Sequence, residues 1–226
     1  VIARSLCFHL ASALATLVFL PAYVLVLVPV RIGWPVLAAY IRLQLWLLRM
    51  ICGQRVEVTG VENLPAGPCL LAARHESMWE TMFLPLHFHN PAVLLKQEIL
   101  RYPLAGPIAR RLGHIGIDRS GDLEAARASF TGAKQAASDG RSILIFPSGT
   151  RDPALRDRLQ SGVAVLYRQL GLPCVPVTHN SGRFWPHRSW LRHAGTIRVE
   201  IRPPIPAGLK TKEFIDRLAA GLSRDG

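Results

Sequence analysis

From Leu10 to Val30 the chain reads LASALATLVFLPAYVLVLVPV, 21 residues without a charge. A helix needs about 20 apolar residues to cross the hydrocarbon core of a bilayer, so this run points to lipid. A cleaved signal sequence fits poorly: with Arg4 as its basic start the apolar stretch is too long, and no small-residue cleavage site follows. A buried core helix is also uncomfortable, because Pro21 and Pro29 each remove a backbone donor inside the run. A spanning helix and one that dips into a single leaflet both suit the length.

The next stretch, RIGWPVLAAYIRLQLWLLRMICG, is apolar with a cationic stripe. At about 100° per residue Arg31, Arg42 and Arg49 fall within roughly 20° of one another. Trp34, Tyr40 and Trp46 add amphipathic rings suited to the headgroup level, which predicts an interfacial helix with Pro35 in its first turn. A soluble amphipathic helix would show the same stripe. The charge-free run beside it favours lipid. Positive charge concentrated after the first apolar run places everything from Arg31 onward on the cytoplasmic side of a membrane.

Half of the 226 residues are hydrophobic, which excludes disorder, collagen and coiled coil and leaves enough chain for a sizeable core. Lys and Arg number 27 against 15 Asp and Glu; the net charge of +12 predicts attraction to an anionic partner, whether lipid, acidic carrier protein or nucleic acid. Cys7, Cys52, Cys69 and Cys174 are scattered without a C-x-x-C pair, so neither a disulfide framework nor a zinc site is expected, and a reducing compartment fits.

After Gly53 short apolar runs alternate with helical patterns, as in an α/β domain. Expected strands are Arg55–Thr59, Cys69–Ala73, Ala92–Leu95, His114–Asp118, Ile143–Phe146, Cys174–Val177 and Thr196–Ile201. Expected helices are Met78–Leu86, Tyr102–Leu112, Leu123–Ser138, Gly162–Leu170 and Lys212–Leu222. The Pro- and Arg-rich stretch Arg183–Arg192 reads as a surface loop.

Four short elements could carry chemistry. After the apolar run CLLAA, His75 precedes Glu80 by five positions. Five helical residues rotate a side chain by about 140°, so the two meet only if His75 lies in the turn before a helix, with Ser77 as a plausible N-cap. A carboxylate on one ring nitrogen leaves the other free as a base. GHIGIDRS (Gly113–Ser120) is a strand ending in Asp118 and Arg119, and ILIFPSGTR (Ile143–Arg151) a strand ending in a tight turn with Arg151. Two arginines at strand ends can fork onto one phosphate. In LPCVPV (Leu172–Val177) Pro173 and Pro176 interrupt a strand, as a wall for an acyl chain or as structural punctuation.

In this order and spacing the four elements resemble the boxes of the membrane-associated 1-acylglycerol-3-phosphate acyltransferases. His75–Glu80 is similar to the family's H-x4-D box, Gly113–Arg119 to G-x-I-x-I-D-R, Phe146–Arg151 to F-P-E-G-T-R, and Leu172–Val177 to its V-P-V segment, a likeness covering roughly residues 60–206. HNSGRFWPHRSW followed by GTIRVEIRPPIP also resembles a bacterial subgroup in which Glu can replace the Asp of the first box. The resemblance implies a mixed sheet flanked by helices, with a membrane-associated helical segment over residues 1–53 (spanning or an interfacial hairpin) ahead of an α/β acyltransferase domain over 54–226. It implies His75 and Glu80 as catalytic residues, and Lys96, Arg119, Ser148, Gly149, Thr150 and Arg151 as the acceptor site. It further implies an acyl-CoA or acyl carrier protein thioester as donor, lysophosphatidic acid as acceptor, membrane phospholipid as partner, no metal or other cofactor, no nucleic acid, and a place on the cytoplasmic side of a bacterial inner membrane.

Two positions depart from the family pattern. Ser148 stands where the third box has glutamate, and Gln160-Ser161-Gly162 where many members have lysine before the glycine. A Pro-Ser-Gly turn there also resembles the soluble plastid-type glycerol-3-phosphate acyltransferases. Acceptors such as glycerol 3-phosphate or another lysolipid, and a silent lipid-binding role, therefore stay open. A Ser148 nucleophile is disfavoured by the lack of a G-x-S-x-G elbow, and a nucleic-acid binder by the charge-free N-terminal run.

Overall fold

The computed structural model describes residues 1–21, 30–103, 105–117, 123–155 and 157–223. In chain order the elements are α1 (Ile2–Phe19), α2 (Val30–Cys52), β1 (Gln54–Thr59), β2 (Leu70–Ala73), α3 (Trp79–His87), β3 (Ala92–Lys96), α4 (Ala105–Arg111), β4 (Ile115–Ile117), α5 (Leu123–Ser138), β5 (Ile143–Ile145), α6 (Gly162–Leu170), β6 (Cys174–His179), β7 (Gly195–Ile201) and α7 (Thr211–Leu222). Every strand and helix expected after Gly53 is present. The seven strands form a sheet of order β1-β7-β6-β2-β5-β3-β4. From β6 to β4 the pairing is parallel, and β7 joins β6 antiparallel, so the sheet is mixed.

By internal packing the chain divides into two compact units. A helical unit comprises Val1–Glu57, Glu76–Asn90 and Asn180–Arg198; a sheet unit comprises Val58–His75, Pro91–His179 and Val199–Gly226.

In the sheet unit, β2 (LLAA), β5 (ILI) and β6 (CVPVTH) are buried at every position. Continuous apolar strands of this kind belong to parallel sheets covered on both faces, since water would otherwise meet every second side chain. Leu70, Ala72, Ala92, Leu94, Ile143 and Ile145 share one core with Ala133 of α5, Leu166 and Tyr167 of α6, and Phe214 and Leu218 of α7. Within it the Tyr167 and Phe214 rings stack at 3.8 Å. Pro176, in the middle of β6, packs under α7: a Cβ on Gly221 would come within 2.8 Å of its ring, so the glycine lets α7 lie close over the strand.

In the helical unit, α1 and α2 lie antiparallel, with the Cys52 thiol 3.8 Å from the Arg4 carbonyl and the Thr16 and Tyr40 hydroxyls 2.9 Å apart. Both helices are long and apolar enough to cross a membrane. On α1, Ile2, Leu6, Leu10, Leu14, Leu17 and Val18 are exposed and recur at helical spacing, an outward apolar stripe of the sort that marks an interaction surface.

Three expectations are corrected. The charge-free run from Leu10 to Val30 is not one helix: α1 starts eight residues earlier, includes Arg4 and stops at Phe19. Pro21 has no N–H for the Leu17 carbonyl, which takes the Leu20 N–H instead. Pro35 sits inside α2, beyond its first turn, because α2 already begins at Val30. The loop Arg183–Arg192 is not simply a surface loop. Arg192 is buried, its guanidinium 3.7 Å from the Trp185 ring, its Nη1 donating to the Ser189 and Leu191 carbonyls and its backbone N–H to Ser5 Oγ of α1. His9 Nε2 donates to the Trp190 carbonyl at 2.8 Å, and Gln54 Nε2 to the Phe184 and His193 carbonyls.

His114, before β4, accepts the Val93 N–H on Nδ1 at 3.3 Å. Burial, reinforced by the Arg141 charge, pulls its pKa down to about 4. An unfolded chain binds this proton near pH 6.5. Stability is therefore full above about pH 6.5 and falls as pH drops toward 4, by at most about 3 kcal/mol. Denaturant unfolding across that window should show the slope, and His114→Gln, which keeps an acceptor but cannot titrate, should flatten it.

Candidate active site

All five parallel strands of the sheet unit end on one edge, and in open α/β sheets the carboxyl ends of the strands are where ligands bind. Three of the positions singled out in the sequence arrive there, and so does His179, which was not. His75 follows β2, Lys96 is the last residue of β3, Phe146–Arg151 follow β5, and His179 closes β6. Arg119 and Asp118, expected after β4, lie outside the described residues.

His75 is half-buried, and its ring stacks on Phe146 at 4.2 Å and 23°. Register explains the meeting: Ala72 pairs with Ile145, so the chain leaving β2 and the chain leaving β5 emerge side by side. The residue before the histidine is tightly held. Arg74 donates its N–H to the Val177 carbonyl, accepts the His179 Nε2 proton on its own carbonyl at 2.9 Å, and anchors its buried guanidinium on Asp157 and the Leu222 carbonyl. That last contact places a cation at the C-terminal end of α7, the favourable pole of a helix for positive charge.

The third box forms a self-tied turn. Gly149 returns its N–H to the Phe146 carbonyl with φ of 63°, a left-handed conformation that disfavours any side chain. Ser148 is 5 % exposed and donates its hydroxyl to the Thr150 carbonyl at 3.0 Å. Thr150 Oγ1 accepts the Asp152 N–H, and Asp152 in turn accepts the Ala154 N–H. The Gln160 N–H closes the loop on the Pro147 carbonyl. The Ser148 proton is thus used in shaping the turn. Arg151 is half-buried and Lys96 is exposed. In the second box, Gly116 makes room: a Cβ there would stand 1.9 Å from Gln97 Oε1.

In the helical unit, Glu80 is fully buried near the start of α3. Its Oε1 accepts the Glu76 and Ser77 N–H groups, both at 2.9 Å. Its Oε2 accepts the Ser77 N–H at 3.0 Å, the Ser77 hydroxyl at 2.6 Å and the Ser181 hydroxyl at 2.9 Å. Ser77 Oγ also accepts the Trp79 N–H at 3.0 Å. Ser77 and Glu80 make a capping box, in which a serine takes an early helix N–H and a glutamate three residues on reaches back to the serine's own N–H. Met78 occupies the cap position itself, so Ser77 acts from one residue before it. Glu76, also buried, accepts the Gly182 N–H at 3.1 Å.

His75 and the third box are thus brought together within the sheet unit, and Glu80 is fixed by its own unit. Sequence reasoning passed over His179, Ser181 and Glu76. Their signals existed: HNSG stood within a noted likeness, and S-x-x-E at Ser77–Glu80 is a helix-start signature.

The pattern that defines the family described as Acyltransferase matches residues 55–180. A 1-acyl-sn-glycerol-3-phosphate acyltransferase of Pseudomonas aeruginosa is 34% identical over 208 residues, which cover 90% of this chain and 81% of that protein. A protein of the same name from Borreliella burgdorferi is 28% identical, covering 86% and 77%. A lyso-ornithine lipid O-acyltransferase of P. aeruginosa is 30% identical, covering 75% and 72%. The fold is that of the crystal structure of the 1-acyl-sn-glycerophosphate acyltransferase from Thermotoga maritima, with a TM-score of 0.72, 21% identity, and coverage of 97% of this chain and 91% of that one. With the family pattern spread over more than half its length and the first Pseudomonas relative aligned along nine-tenths of it, the chain belongs to the acyltransferase family.

Proposed function

We propose that this chain transfers an acyl group from a thioester, on coenzyme A or acyl carrier protein, to the sn-2 hydroxyl of 1-acylglycerol 3-phosphate, giving phosphatidate for phospholipid synthesis. The observation that carries the reading is His75 stacked on Phe146 at the carboxyl edge of β2 and β5, beside the turn Ser148–Arg151. The names of the relatives supply the acceptor class. The lyso-ornithine lipid relative keeps a second lysolipid in view as acceptor.

His75 removes the hydroxyl proton as the acceptor oxygen bonds to the thioester carbonyl carbon. The tetrahedral intermediate then collapses, the C–S bond breaks, and the proton passes from the imidazolium to the departing thiolate. Glu80 holds the N–H groups of Glu76 and Ser77, the two residues after His75, and so sets the path of the chain as it leaves the histidine. Its negative charge favours the imidazolium. Lys96, Arg119 and Arg151 bind the acceptor phosphate, Arg151 with the planar fork suited to it. No metal or further cofactor enters this scheme. The apolar stripe of α1 and the basic residues of α2 seat the chain on the cytoplasmic face of a bacterial inner membrane.

The test is to supply membranes carrying the protein with defined thioesters and a panel of lyso-acceptors, and to identify the product by mass spectrometry. Phosphatidate is expected; formation of another acylated lipid alone moves the acceptor, and no product from any thioester leaves a lipid-binding protein. His75→Ala should lower turnover about a hundredfold to ten-thousandfold, the range of a lost general base, while vesicle binding persists. Glu80→Gln should cost less, because an amide oxygen still accepts hydrogen bonds but no charge remains to favour the imidazolium. Near-normal turnover in His75→Ala removes this mechanism.

Ser148→Glu restores the family's residue in a space that holds a buried serine. We expect lower activity at matched fold content. The larger side chain cannot keep the short Ser148–Thr150 tie, and its charge opposes the acceptor phosphate. Turnover at or above wild type would show that the turn still accommodates the acid.

A further inference from the structure

A fully buried hydroxyl that the proposed reaction does not use lies beside the Glu80 carboxylate. Ser181 follows β6 in a short helical turn, Ser181–Arg183, and its side chain is 0 % exposed. Its Oγ lies 2.9 Å from Glu80 Oε2 and 2.9 Å from Ser77 Oγ. The next residue gives its N–H to Glu76. All these groups belong to the helical unit.

The protons can be assigned. A carboxylate only accepts, and each hydroxyl has one proton to give. Ser77 makes the shorter contact with Glu80, 2.6 Å, and already accepts the Trp79 N–H. The Ser181 proton is therefore directed at Glu80 Oε2, or at a Ser77 oxygen whose own proton is committed to the same carboxylate. In both cases the hydroxyl pair concentrates donor strength on one oxygen of Glu80. From its own end of α3 that oxygen takes the Ser77 N–H and the Ser77 hydroxyl; Ser181 reaches it from a turn about 100 residues away in sequence.

We infer that Ser181 is a positioning residue for acyl transfer: its buried hydroxyl holds Glu80 Oε2 in the orientation, and in the ionised form, that the reaction uses. The inference rests on Glu80 taking part in the reaction as proposed above. A serine that only fills space would be replaced by alanine without loss, because the two differ by one oxygen. A hydroxyl that donates to a buried carboxylate cannot be, since such charge-assisted bonds are about twice as strong as neutral ones.

The test compares Ser181→Ala, Ser181→Thr and Glu80→Gln with the double variant Ser181→Ala/Glu80→Gln, in full-length protein reconstituted in vesicles. Turnover is normalised to folded protein from thermal melts. Ser181→Ala should lower kcat about tenfold to a hundredfold, the loss expected for a hydrogen bond to a charged group, with KM changed less than about twofold. Ser181→Thr, bulkier but still a donor, should be more active than Ser181→Ala, an order that packing alone would reverse. In the Glu80→Gln background the alanine should cost little more, because the charge it serves is gone. Wild-type kcat in Ser181→Ala beside a damaged Glu80→Gln overturns the role of Ser181 alone, as do equal activities of the Ala and Thr variants or costs that simply multiply. Wild-type kcat in Glu80→Gln overturns the underlying reading. If Ser181→Ala does not accumulate as folded protein, Ser181→Cys, a weak donor of similar size, takes its place, and unchanged kcat there also overturns the proposal.

Discussion

A four-residue strand, Leu70–Ala73, is hydrogen-bonded on both edges, to β5 on one side and β6 on the other. Two parallel neighbours leave it no freedom to slip, and a one-residue slip would turn its whole side-chain pattern over. That register decides where β2 ends, and so where His75 leaves the sheet. It also decides that Phe146 emerges next to it, and that the Arg74 N–H meets the Val177 carbonyl. The strand is built of leucine and alanine because both of its faces are buried; the candidate site begins only where that pattern stops.

A buried carboxylate is costly unless its lone pairs are met, and Glu80 meets the requirement with backbone and hydroxyl donors. Hydrogen bonds of this kind favour the ionised form of an acid, the form that the proposed reaction calls for. The capping box that starts α3 is also the clamp on the chain just past His75. A change at Glu80 consequently disturbs the start of α3 whatever its part in the reaction, so turnover of any such variant has to be read against fold content.

The α/β part of the chain was legible because its rules are local. Apolar runs such as LLAA and ILI, bounded by turn residues, mark buried strands, and Leu123–Ser138 and Gly162–Leu170 have the helical boundaries their periodicity predicts. The N-terminal helices were legible in character but not in extent. A count of charge-free residues ignores that a helix tolerates Arg4 near its start, while Pro21 withdraws the N–H that would have carried α1 onward. Around the site, the residues that could be named were those with distinctive chemistry at strand ends. Ser181, His179 and Arg192 were not, because each acts through a partner about 100 or more positions away, Glu80, Arg74 and Ser5 respectively, and no local pattern encodes such a pairing. The same limit applies to Ser148: the departure from glutamate was visible, but the Thr150 carbonyl that receives its proton was not.

The segment from Ser181 to Arg192 joins two features of the helical unit. At one end a serine grips the Glu80 carboxylate; at the other, Arg192 is pinned on Trp185 and bonded to Ser5 of the helix that turns its leucines outward. Between them run ten residues in which the carbonyls of Phe184, Ser189, Trp190 and Leu191 are already engaged. The hydroxyl that meets Glu80 and the helix that turns its leucines outward are thus tied through one short stretch of backbone, and a change at either end has only ten residues in which to be absorbed.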